Sequence, residues 1–90
     1  MTEKSQEVQI TNRRGLHARA SAKFVTLASA MPAKIVVSKD GSEVAGTSIM
    51  GLMMLGAAMG DSIIISAQGD GHEEALAQLV TLVEDKFGED

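Results

Sequence analysis

The most reactive constellation in this chain of 90 residues is Gly15-Leu16-His17-Ala18-Arg19-Ala20-Ser21. Neutral histidine is a nucleophile, and its charge changes near physiological pH. The residues after His17 carry a helical period, so His17 falls where a loop becomes a helix. There the first backbone N–H groups lack intrahelical partners and the positive end of the helix dipole points outward. Such a terminus favours anions, phosphate above all. Arg19 follows two residues later and can give two parallel hydrogen bonds to phosphoryl oxygens. Arg13, Arg14 and Lys23 surround it in sequence. Gly15 lets backbone approach a phosphate with no side chain in the way. Each residue also has a plainer role: a polar loop histidine, a solvated arginine, a turn glycine. The residues leave open whether phosphate is bound reversibly, carried covalently or hydrolysed.

A second feature is Ser48-Ile49-Met50-Gly51-Leu52-Met53-Met54-Leu55. Ser48 suits the N-cap of a short helix. The apolar residues here outnumber what so short a helix can bury, so part of the set is expected on the surface. Methionine suits an adaptable docking surface, or alternatively fills an irregular small core. Other chemistry is thin. There is no Gly-rich lysine loop, and Gly69-x-Gly71 is too short for a dinucleotide fingerprint. His72 reads as a solvated residue in the first turn of the last helix. With no cysteine, no His/carboxylate cluster and no triad, neither a metal, a cofactor nor a self-sufficient hydrolase is expected.

Positioning these residues falls to seven elements. Val8 and Ile10 alternate with polar neighbours as in a half-buried strand, broken at Asn12-Arg13-Arg14-Gly15. Ala20, Phe24, Leu27, Ala28 and Met31 line one helix face, and Pro32 ends that helix. Ile35-Val36-Val37 is a strand; Asp40-Gly41 suits a type I′ turn returning through Glu43-Val44-Ala45. The short helix begins at Ile49, and Ser62–Ala67 is a strand. Asp70 and Glu73 suit a capping box for a last helix carrying Leu76, Leu79, Val80, Val83 and Phe87 on one face. The order βαββαβα predicts an α+β domain spanning residues 1–90, with helices on one face of a four-stranded antiparallel sheet.

Bulk composition bounds the rest. The chain is 44% hydrophobic and 22% charged, ordinary for a globular domain. The longest apolar run, Ile49 to Met59, is eleven residues broken by Gly51 and Gly56, against the roughly 20 a membrane span needs. Met1–Glu7 has no apolar core, so no signal peptide is expected and the expected location is cytoplasmic. The net charge of −4 conceals a segregation: Asn12–Lys39 holds six basic residues and no acid, whereas Asp40 onward holds ten acids and only Lys86. Such asymmetry favours an anion or an acidic partner surface, unless folding interleaves the two halves. Nucleic acid is not expected, because Phe24 and Phe87 are the only aromatic residues and both lie on apolar helix faces, leaving no stacking platform.

At its two motifs the chain resembles the HPr family, the histidine-containing phosphocarriers of the phosphoenolpyruvate-dependent phosphotransferase system. Gly15-Leu16-His17-Ala18-Arg19 is similar to that family's active-site signature. Thr47 to Gly56 is similar to its signature around a regulatory serine. The resemblance covers nearly the whole chain. It implies an open-faced β-sandwich, and a His17 whose Nδ1 accepts a phosphoryl group from enzyme I and passes it to an enzyme IIA-type protein. Arg19 would assist, with Gly15, Ala18 and Arg14 supporting the phosphate. Ile49, Met50 and Met53, with Lys23, would dock partners, and Ser48 would be the target of HPr kinase. Ala20 stands where the family often has proline, and Thr26 and Ser29 stand in a region where some members carry lysines. Ala20-Ser21 is similar to members of the nitrogen-related or alphaproteobacterial branch, which favours a regulatory relay over bulk sugar uptake. A monomer suffices for all of this. The alternative is a non-catalytic interaction module acting through the Ile49–Met54 patch.

Overall fold

The strands with the most β-branched residues occupy the middle of the sheet. The computed structural model describes residues 2–89 and runs β1 (Glu3–Gln9), α1 (Ala18–Ser29), β2 (Lys34–Lys39), β3 (Ser42–Ala45), α2 (Ile49–Met54), β4 (Ser62–Gln68) and α3 (His72–Glu84), followed by a single turn at Lys86–Gly88. All strand pairs are antiparallel, in the order β1-β4-β2-β3. Residues such as Ile63–Ile65 and Val36–Val37 pack well on a pleated surface flanked on both sides, and β4 and β2 are the two inner strands. Val8 stands opposite Ile63, and Val37 opposite Ile65. Along β4, Ile63, Ile65 and Ala67 are buried while Ile64 is exposed, the two-residue period of a sheet covered on one face.

Helices α1 and α3 cover that face. Ala20, Phe24 and Ala28 of α1 and Ala75, Leu76, Leu79, Val80 and Val83 of α3 are buried with the inward strand residues in one core. Each fully buried Leu, Ile or Phe contributes roughly 1.5–3 kcal/mol. β2 and β3 join through Asp40 and Gly41, with φ of 51° and 85° and Lys39 paired to Ser42. Two positive φ values in a two-residue loop make the type I′ turn read from Asp-Gly. The βαββαβα order and the open-faced α+β architecture are as the sequence implies.

Three local expectations are corrected. β1 begins at Glu3 and ends at Gln9, so it takes in Glu3–Gln6, whose side chains are all exposed, and stops short of Ile10 and Thr11, which the alternation includes. Pairing with β4 rather than a hydrophobic pattern recruits Glu3–Gln6, in a ladder from Glu3 opposite Gln68 to Gln9 opposite Ser62. The Asp70–Glu73 capping box does not form. Gly71, in a left-handed conformation with φ 69°, is the N-cap and no side chain caps the helix, because Asp70 lies one residue too far back. His72 Nδ1 instead donates to the Gly69 carbonyl at 3.0 Å. Phe87, read as the last residue of the α3 face, lies beyond the helix in a turn with φ 56°, yet only 1% of it is exposed. Among the described residues no helix is long and apolar enough to cross a membrane.

Candidate functional site

The loop from β1 to α1 is pinned from both ends. Ile10 is buried, donates its N–H to Asp61 O at 2.8 Å and accepts from Gly60 N at 2.8 Å. Leu16 is buried and donates to Ala57 O at 2.9 Å. Between them Asn12 is fully buried, and its Nδ2 donates to Gly15 O at 2.8 Å. Gly15 has φ 65°, and a β-carbon there would run into the Ala57 carbonyl and sit 2.9 Å from Ala58 Cα. The need for glycine at this position therefore comes from the neighbouring 57–58 backbone, a reason different from the close approach to phosphate read in the sequence.

That loop delivers His17 to the start of α1 as its N-cap residue. The backbone of His17 is extended (φ −73°, ψ −179°), and its carbonyl accepts from Ser21 N at 2.9 Å. Its Nδ1 accepts the Arg19 backbone N–H at 3.2 Å. The first turn of α1 holds no acid, so nothing on the helix itself offsets the positive end of its dipole. Ala18 and Arg19, the first two helical residues, are exposed beside the ring.

The other ring nitrogen meets a residue that sequence reasoning missed. Nε2 lies 3.0 and 3.1 Å from the two carboxylate oxygens of Glu89. Asn12 Nδ2 also donates to Glu89 Oε1, at 2.9 Å. The side chains of His17 and Glu89 are 14% and 20% exposed, so the pair is sheltered but reachable. The Glu89 carboxyl is held below its ordinary value of 4.5, first by the Asn12 hydrogen bond and next by that from His17, with burial pulling the other way. Glu89 lies 72 residues from His17 in sequence, and its only local signal is the apolar anchor Phe87 followed by Gly88 after the helical period fades. That signal marks a turn, but not its destination. The acid-free character of Asn12–Lys39 accordingly does not survive folding at its most reactive point.

The remaining expected residues divide. Arg13, Arg14 and Arg19 are exposed and, among the described residues, form no ion pair. Lys23 donates its ammonium to the Phe87 carbonyl at 2.7 Å, so it holds the turn after α3. Ser48 caps α2 as read, accepting Gly51 N at 3.0 Å. Ile49, Met50 and Met53 are exposed by 40%, 68% and 41%, and Met54 by 80%, whereas Leu52 is fully buried. The apolar surplus of this helix thus lies on the surface, and α2 packs beside α1.

Comparison with known proteins places the fold and the family. Residues 4–85 match the family model described as the phosphotransferase-system HPr component phosphorylation site. The phosphocarrier protein HPr of Neisseria meningitidis is 46% identical over 84 residues, covering 93% of this chain and 94% of that protein. The phosphocarrier protein NPr of Escherichia coli is 40% identical over 86 residues, covering 94% and 96%. The crystal structure of HPr-C-His from Thermoanaerobacter tengcongensis superposes with a TM-score of 0.92 at 47% identity, covering 97% of this chain and 98% of that one.

Proposed function

Since the chain belongs to the HPr family of phosphocarriers, we propose that it accepts a phosphoryl group on Nδ1 of His17 from phosphorylated enzyme I and passes it to an enzyme IIA-type protein. One observation carries this reading: His17 is the N-cap of α1, with Nδ1 turned to the backbone N–H of the first helical turn. A phosphoryl group on that nitrogen meets donors and a favourable dipole already in place. Arg19 swings its exposed guanidinium onto the phosphoryl oxygens, Arg14 adds to the field, and Gly15 and Ala18 shape the backbone around it. Partners dock on Ile49, Met50 and Met53, next to α1. Phosphorylation of Ser48 by an HPr kinase would place new charge beside this apolar patch and weaken docking. The carrier serves either a sugar or a regulatory relay, since relatives named HPr and NPr both match along nearly the whole chain.

Incubation with enzyme I and labelled phosphoenolpyruvate should place an acid-labile, base-stable phosphate on the protein. His17→Ala should abolish the label while leaving the amide spectrum of the fold unchanged. Label persisting in that variant would sink the assignment.

A further inference from the structure

We propose that Glu89 is a positioning residue for phosphoryl transfer, holding the His17 ring in the tautomer and orientation that present Nδ1 to the phosphorus. The proposal rests on the reading of His17 as the phosphoryl acceptor and deepens it. Two neighbours on opposite sides of the ring specify the same tautomer. A carboxylate only accepts hydrogen bonds, so Nε2, at 3.0 and 3.1 Å from Glu89, carries the proton. A backbone N–H only donates, so Nδ1, 3.2 Å from Arg19 N, carries the lone pair. The lowered pKa of Glu89 means that the carboxyl is ionised near neutrality and able to play this part.

Glu89 reaches the ring on a built support. Lys86, Phe87 and Gly88 have φ of 58°, 56° and 76°, a left-handed run that the first two residues rarely adopt. Phe87 sinks into the core, Lys23 clamps its carbonyl at 2.7 Å, and Glu89 N bonds Lys86 O at 2.9 Å. Asn12, itself fixed to Gly15, then holds the carboxylate at 2.9 Å. A surface glutamate in contact with the ring by chance would need none of this.

The step balances without any proton leaving the site. The Nδ1 lone pair forms the bond to phosphorus, the bond from phosphorus to the donor breaks, and its electron pair leaves with the donor. The Nε2 proton stays, so the phosphorylated ring gains positive charge facing the Glu89 carboxylate. When the acceptor attacks, the N–P bond breaks, its electrons return to Nδ1, and the starting tautomer is restored. The logic is that of a carboxylate orienting a working histidine.

The test combines single-turnover transfer from phosphorylated enzyme I with the 1H–15N signal of the His17 ring. In the parent, the Nε2-bound proton should give a resolved cross-peak. Glu89→Ala should lose that peak to exchange and slow transfer about tenfold or more, by analogy with the loss on removing the partner that orients a metal-bound histidine, with the half-saturating concentration of the carrier unchanged. Glu89→Gln keeps a neutral acceptor in the same place and should recover part of both. Transfer by Glu89→Ala within twofold of the parent, or a ring signal the same in both, would overturn the proposal. A parent protein that takes no label at all would instead refute the phosphocarrier reading beneath it.

Discussion

His17 is held between a donor and an acceptor, and the two sides of its ring have different origins. The Nδ1 side is local: an N-cap residue two positions before Arg19 meets that N–H by the geometry of any helix start. The Nε2 side depends on a residue 72 positions away. The Glu89 carboxyl is held below 4.5 in the folded chain, mainly by Asn12 and then by His17. A carboxyl lowered in this way stabilises the fold above its ordinary value and loses that contribution as pH falls through the lower folded-state value. Urea unfolding of the parent and of Glu89→Ala, compared at pH 4.5 and at steps below it, should therefore show a stability difference that shrinks as the pH falls. A difference that widened below pH 4.5 would contradict the sign of the shift. Gly15 and Asn12 belong to the same local account, since the loop turn and its buried amide fix where both residues meet.

Among the elements, α2 depends most on its cap. It is six residues long, too short to be stable by propensity, contains Gly51, and buries only Leu52 fully. The Ser48 hydroxyl bond to Gly51 N at 3.0 Å is thus a large share of what holds it. Replacing Ser48 with Ala should cost about 1 kcal/mol in urea unfolding, within the 0.5–2 kcal/mol range for N-caps, and Ser48→Thr should retain most of it. No loss in the Ala variant would show that packing alone carries the helix. α3 is the converse case. Its thirteen residues and continuous buried stripe let it do without the Asp70 cap, and Glu73 and Glu74 in its first turn still complement the dipole.

Across the whole molecule, Phe87 links the core to the site. It packs under the sheet with Phe24 and the α3 stripe while its carbonyl takes the Lys23 ammonium, so one residue fills the core and aims Glu89. Phe87→Ala should cost about 3–5 kcal/mol by cavity formation, a large part of the stability of so small a domain, as measured by urea unfolding. A loss below about 1 kcal/mol would mean that the turn is not anchored as described.

The two kinds of information separate along the range of the forces involved. Strand alternation, the Asp40-Gly41 turn, the Ser48 cap, the faces of α1 and α3 and the place of His17 at a helix start all follow from neighbours within a few residues, through backbone sterics and burial of one face. They are legible in the order of the residues. The strand character of Glu3–Gln6 is not, because it comes from hydrogen bonding to β4. The position of Phe87 outside α3 is not, because a left-handed turn and a helix can bury the same side chain. Glu89 at His17 is the furthest case: the chain carries ten acids after Lys39, all alike in sequence. Closure of α3 over the sheet, the anchor at Phe87 and the amide of Asn12 select one of them to face the reactive ring.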